Sequence, residues 1–236
     1  MKRSLGSTIE HSLGYFFVQD GASLLPVLVL DPKPGMRVLD LAAAPGGKAT
    51  HLAQHMQNTG ALVCLDSSRN RLPSLRYSLA RLGVVNALVV FESGVHFHRT
   101  GAFDRVLLDA PCSCEGLGFS DPGVWAFWSE KLVHDKSVLQ KKLILRAFDA
   151  LVPGGLLVYS TCTLSPEENE FVLDHLLRER EGAEIIPFSI PGIELSPGLC
   201  EWQKIRLNPL VVHARRVYSP LSHTESFFLA KIKKVR

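Results

Sequence analysis

Cysteine is scarce in this sequence: five residues, an odd number, with no CxxC pair. Cys112-x-Cys114 is not followed by His or Cys at finger spacing, so no metal is expected, and neither is a disulfide framework. No apolar run reaches the ~18 residues of a membrane span; the longest, ASLLPVLVL at 22–30, is broken by a proline. The first residues, MKRSLGSTIEHSLG, are basic but lack the apolar stretch of a secretory signal. No membrane partner and a cytoplasmic location are therefore expected. Charge of one sign is also limited, since 26 Lys and Arg against 23 Asp and Glu leave +3. That excess is weaker than a dedicated nucleic-acid binder carries, so an RNA partner is permitted but not demanded. Repeats and low-complexity tails are absent.

What is present is ordinary globular material: 46% hydrophobic and 21% charged residues over 236 positions, enough for one large domain with a full core. Short apolar runs at 37–42, 61–66, 87–92, 104–110 and 155–161 read as strands. Between them Leu72, Leu75, Leu79 and Leu82 mark one helix face, and Leu139, Leu143, Ala147 and Leu151 mark another. Strand–helix alternation with almost continuously apolar strands implies a parallel sheet covered on both faces. SFFLAKIKKV at 226–235 alternates and is expected to add an edge strand, whereas 183–225 shows no usable period. Ser165, Pro166 and Glu168 suit N-cap, N1 and N3 of a helix, which predicts a capping box.

Three motifs fall at strand ends, where open α/β sheets bind ligands. VLDLAAAPGGKATHLA at 38–53 joins a strand to a helix through small residues, Ala42, Ala43, Ala44, Pro45, Gly46 and Gly47, which leave room for a ligand against the backbone. It is neither a Walker A loop nor GxGxxG. Asp66 ends the second strand, where a carboxylate meets ribose hydroxyls, so a nucleoside-bearing cofactor without a pyrophosphate fits. LLDAPCSCEG at 107–116 and YSTCTLSPEENE at 159–170 each place a thiol, Cys112 and Cys162, at a strand end. A single cysteine there is commonly a small buried hydrophobe; two on the ligand side suggest nucleophilic chemistry on an electrophilic carbon.

DLAAAPGGKAT, DAPCS and STCTLSPEENE, in this order, resemble the signature blocks of the Sun-type (NOL/NOP/Sun) RNA cytosine-5 methyltransferases. With SLGSTIEH at 4–11 and GYFFVQDGASLLPVLVLDPKPG at 14–35, the chain is most similar to short archaeal-type tRNA members. The resemblance implies a Rossmann-like class I fold, mostly parallel with an antiparallel C-terminal edge strand, and S-adenosylmethionine as cofactor. It implies an N-terminal segment, 1–30, packed on a catalytic domain, 31–236. Cys162 would then attack cytosine C6, with Cys112 assisting proton loss and release. Asp109 would read the base edge, and Lys48 would contact the base and depress a thiol pKa. Residues 42–48, Asp66, Arg71 and Asp109 would hold the cofactor, with Ser93, rather than Glu92, at the adenine.

Besides Ser93, two further departures from the family pattern stand out: Cys114 and FSDP at 119–122 follow where many members have a glycine and then a basic residue before a proline, and Ser226 precedes Phe227-Phe228 where a glycine is usual. RNA contacts are expected from Lys2, Arg3, Lys141, Lys142, Arg215 and Arg216, with Trp125, Phe127 and Trp128 for stacking. The bland alternative for these is solvated charge and a core lid. The partner is expected to be RNA, tRNA first, and the chain a monomer. Alternatives are an rRNA or DNA cytosine-5 methyltransferase, or a non-catalytic nucleoside- or RNA-binding module.

Overall fold

The computed structural model describes residues 4–118, 120–219 and 224–236. The order begins with a short helix α1 (Ile9–Ser12) and α2 (Leu25–Leu30), then β1 (Arg37–Asp40), α3 (Gly47–His55), β2 (Ala61–Asp66), α4 (Leu72–Arg81), β3 (Ala87–Phe91) and β4 (Phe103–Asp109). The long α5 (Glu130–Asp149), β5 (Leu151–Thr161) and α6 (Glu170–Glu179) come after them. Five short strands are next: β6 (Ala183–Ile185), β7 (Ser196–Pro197), β8 (Glu201–Trp202), β9 (Ile205–Arg206) and β10 (Arg215–Val217). The chain closes on β11 (Phe227–Lys234).

Among the described residues the sheet runs β3-β2-β1-β4-β5-β11-β10-β7, with β6 pairing on β11 and β8–β9 forming a separate hairpin. The first five strands of that order are mutually parallel, and β11 runs antiparallel to β5. The strand expected at the edge is therefore interior, because β10 and β6 pair with it on its far side. Parallel β1, β4 and β5 carry almost no exposed position at their centres, as two-sided burial requires.

Two apolar clusters lie on opposite faces of the sheet. One packs α5 and α6 through Leu143, Ile144, Ala147, Phe148, Val172 and Leu176. The other packs α2, α3 and α4 through Val27, Leu30, Leu52, Leu72, Leu75 and Leu79. Leu151, assigned by its spacing to the helix of Leu143 and Ala147, instead opens β5, since α5 ends at Asp149 and the chain reverses at Ala150.

The capping box at Ser165 does not form. Pro166–Glu168 is a single 3-10 turn, Asn169 leaves helical geometry at φ −116° and ψ −92°, and α6 starts only at Glu170. Tertiary partners take the two side chains instead: Ser165 Oγ donates to Glu115 and the Glu168 carboxylate faces inward. No helix among the described residues is long and apolar enough to cross a membrane.

Candidate active site

Parallel strands bring their carboxyl ends to one side, and that alone gathers the three motifs. Asp40 ends β1, Asp66 ends β2, Asp109 ends β4, and Thr161 ends β5 one residue before Cys162. Register places Asp109 directly beside Ser160. Above these ends lies a crevice of about 360 Å³, within the ~300–1,000 Å³ range of ligand pockets. Its wall includes Ala42, Ala44, Asp66, Arg71, Ser93, Asp109, Cys112 and Cys162. An adjoining hollow of about 170 Å³ is lined by Ala43, Pro45, Gly47 and Lys48 together with Phe17 and Gln19.

One half of the site is built around Asp66. Its buried carboxylate accepts from Ala44 N at 3.1 Å and Ser68 N at 2.8 Å. The Arg71 guanidinium lies 3.5 Å from the same carboxylate and donates to Ala44 O, so Arg71, though half exposed, brackets the alanine turn. Both glycines make room for neighbouring protein. Gly46 sits at φ +111°, and a Cβ there would meet Ser78 and Leu75 of α4; one at Gly47 would meet Phe17 and Gln19 at 3.0 Å. Gly46 lines neither cavity, whereas Gly47 lines the smaller one.

The other half is built around Asp109. Ser160 Oγ donates to it at 2.7 Å and Lys48 Nζ lies 2.7 Å away on its other oxygen. Burial alone would push the Lys48 ammonium down, but Asp109, then Asp40 and Cys162, outweigh it and hold its pKa above the ordinary value. Asp40 is buried, and its Oδ2 has no hydrogen-bond partner among the described residues. Burial first, then the Asp109 charge, raises it to about 7.

Cys112 Sγ lies 3.3 Å from Cys162 Sγ and 3.9 Å from Cys114 Sγ. All five cysteines are free. The thiols perturb one another. Cys112 is pushed well up by its contacts to Cys114 and Cys162 and by burial. At Cys162 the contact to Cys112 pulls down, but Cys114 and burial prevail and its pKa stands above normal. The Lys48 charge is engaged by Asp109, and Cys162 is raised rather than depressed, against the sequence expectation.

Residues the sequence did not mark as site residues hold the two thiol loops together. Glu168 Oε2 accepts from Ser113 N at 3.1 Å and from Gln140 Nε2 at 2.8 Å, and Gln140 Nε2 also reaches Pro111 O. Glu115 accepts from Thr163, Ser165 and Trp128, while Gly116 N donates to Cys162 O at 2.8 Å. A capping pattern at Glu168 was the available signal, and it pointed elsewhere. Asp40 and Ser160 are local strand residues whose partners lie on neighbouring strands, so only register reveals them.

The surface candidates divide. Trp125 and Phe127 are 53% and 82% exposed, so this aromatic stretch is not a core lid. Trp128 and Lys141 line a groove of about 670 Å³ with Trp202 and Glu167, adjacent to the loop of Glu115. Lys142 is exposed and Arg215 is partly so, its guanidinium bonded to carbonyls of Val212 and Ala214. Arg216 is buried in an ion pair with Glu170, Nη2 to Oε2 2.5 Å, and leaves the list of RNA contacts. Lys2 and Arg3 lie outside the described residues. The absence of a metal site expected from sequence meets a cluster it did not foresee: Cys112, Cys114 and Cys162, with sulfurs all within 4.8 Å.

The family model described as 16S rRNA methyltransferase RsmB/F matches residues 27–233. The tRNA (cytosine(49)-C(5))-methyltransferase of Pyrococcus abyssi is 43% identical over 98% of this chain and 74% of its own length. The 28S rRNA (cytosine-C(5))-methyltransferase of Mus musculus is 39% identical over 98% of this chain but only 29% of its own length. Among solved structures, a methyltransferase homolog from Pyrococcus horikoshii superposes with TM-score 0.85 at 38% identity, over 99% of this chain and 73% of that one. NSun6 from Pyrococcus horikoshii, solved with SFG, gives 0.86 at 35%, over 99% and 57%. The chain therefore belongs to the RsmB/F, or Sun-type, family of S-adenosylmethionine-dependent RNA cytosine-5 methyltransferases.

Proposed function

We propose that this chain methylates C5 of a cytosine in tRNA through a covalent bond between Cys162 and C6. The observation that carries the reading is the pair of thiols, 3.3 Å apart, in one crevice with the Asp66 carboxylate and the small Ala42–Ala44 turn. That crevice suits a nucleoside cofactor: a buried carboxylate ends β2 where ribose hydroxyls are recognised, and alanines admit close approach. S-adenosylmethionine, whose analogue SFG accompanies one relative's structure, supplies an electrophilic methyl group when bound. Ala42, Ala44, Asp66, Arg71 and Ser93 would hold it, with Ala43, Pro45, Gly47 and Lys48 backing the turn and Gly46 only shaping it.

Cys162 as thiolate adds to C6 of a base turned into the crevice, and the C5=C6 electrons become available at C5. Asp109, fixed by Lys48 and Ser160, accepts from the cytosine N4 amino group and rejects the O4 of uracil. After methylation, Cys112 takes the C5 proton; the C–H electrons restore the double bond and expel the Cys162 thiolate. Each thiol must therefore lose its proton in turn, and loss of the Cys112 base would cost about 10²–10⁴ in rate. These steps call on no metal.

tRNA is favoured because the tRNA-modifying relative is 43% identical to this chain against 39% for the mouse rRNA enzyme. The groove of Trp128, Lys141 and Trp202, with Trp125, Phe127 and Lys142 nearby, offers stacking platforms and cations for the flanking strand. We read residues 1–30 as a segment packed on the catalytic domain of 31–236, since Arg81 of α4 bonds His11 and Phe16 carbonyls. We read the chain as a monomer, and five free thiols suit the reducing cytoplasm. Bisulfite sequencing of total RNA from cells with and without the enzyme is expected to lose 5-methylcytosine at a tRNA site. Loss only at rRNA sites would move the substrate, and no loss at any site would sink the reading.

A further inference from the structure

Cys114 has no task in the reaction above, yet its sulfur lies 3.9 Å from Cys112 Sγ, and all three sulfurs fall within 4.8 Å of one another. A tetrahedral ion with metal–sulfur bonds of about 2.3 Å needs ligand sulfurs roughly 3.8 Å apart, which the observed separations bracket. We infer that Cys112, Cys114 and Cys162 form a site for one thiophilic d¹⁰ cation, Zn²⁺ or a soft equivalent, that occupies the nucleophile.

Three features make the trio a chelate rather than a chance neighbourhood. The sulfurs come from two loops cross-linked by Glu168, Gln140 and Glu115, so their spacing is fixed before any ion arrives. Cys114, at φ +65°, turns back over the loop so that its sulfur faces Cys112 O and Sγ. All three residues line the open crevice, which gives an ion its path in and leaves the fourth position to water. Each sulfur exchanges its proton for a metal bond, releasing three protons to solvent. Three thiolates around a dication leave one negative charge, which Lys136, on the same crevice wall beside Cys114, would offset.

Ion binding stands apart from the proposed reaction; its inhibitory consequence rests on that reading. The full reduced chain would be titrated with Zn²⁺ against a chromogenic chelator, with alkylation of each cysteine followed by mass spectrometry. One ion per chain is expected, protecting Cys112, Cys114 and Cys162 while Cys200 stays reactive, with affinity rising as pH rises. Cys114→Ser and Cys114→Gly, the latter suited to the left-handed backbone, should each weaken binding more than the about 10- to 100-fold typical of an outer-sphere change. Both should keep metal-free methyl transfer and resist zinc that stops the unsubstituted enzyme. Unaltered affinity in both variants, or a bound ion that leaves Cys162 alkylatable, overturns the site. Protection of Cys162 with undiminished RNA methylation overturns the inhibition alone; absence of RNA methylation without zinc counts against the reaction, not the site.

Discussion

Asp40 is the residue whose environment is most at odds with its chemistry. It is 1% exposed, one carboxylate oxygen has no partner among the described residues, and Asp109 and Asp66 lie close enough to oppose its charge. The unfolded chain ionises it near 3.8 and the fold holds the proton to about 7. Between those values the unfolded state binds fewer protons, so stability falls as pH rises and levels off above about 7. The cost at pH 8 is roughly 4 kcal/mol at 1.36 kcal/mol per pH unit. Chemical denaturation of Asp40→Asn should therefore gain on the unsubstituted protein by about that amount between pH 4 and pH 8. Parallel stability profiles for the two proteins would show that Asp40 is already ionised in the fold.

At the scale of elements, the sequence carried the strands well, because buried parallel strands are near-continuous apolar runs: 61–66 is β2 in full, and the others differ mainly at their ends. It carried the thiol positions for the same reason, since each sits where such a run stops. The turn between β5 and α6 was misread. A local capping pattern at Ser165 and Glu168 was outvoted by partners 50 and 55 residues away, Glu115 and Ser113. So was the place of β11, taken for an edge because the strands that cover it, β6 and β10, have three residues each and no period to detect. Arg216 on β10 shows the consequence: a cation that looks like an RNA contact is locked to Glu170 of α6. Removing one partner leaves the other charged and buried, so Arg216→Ala should destabilise by about 3–5 kcal/mol. Its thermal melt, set beside RNA affinity of the still-folded fraction, checks this. A stable variant with weakened RNA binding would return Arg216 to the interface.

Taken whole, the molecule is a sheet whose carboxyl ends carry Asp66 and Asp109, which we propose as the cofactor and base halves of the site, with a thiol pair between the loops above. The family follows from the ordered motifs. The geometry adds that Lys48 pairs with Asp109 and that the Cys112 and Cys162 sulfurs face each other at 3.3 Å. The central claim is the division of labour between the two sulfurs. RNA carrying 5-fluorocytosine at the target cannot lose a C5 proton after methylation, so a covalent adduct persists on the attacking cysteine. Denaturing gels with peptide mapping should find that adduct on Cys162, absent in Cys162→Ala and retained in Cys112→Ala. An adduct mapped to Cys112, or one that survives in Cys162→Ala, would contradict the account.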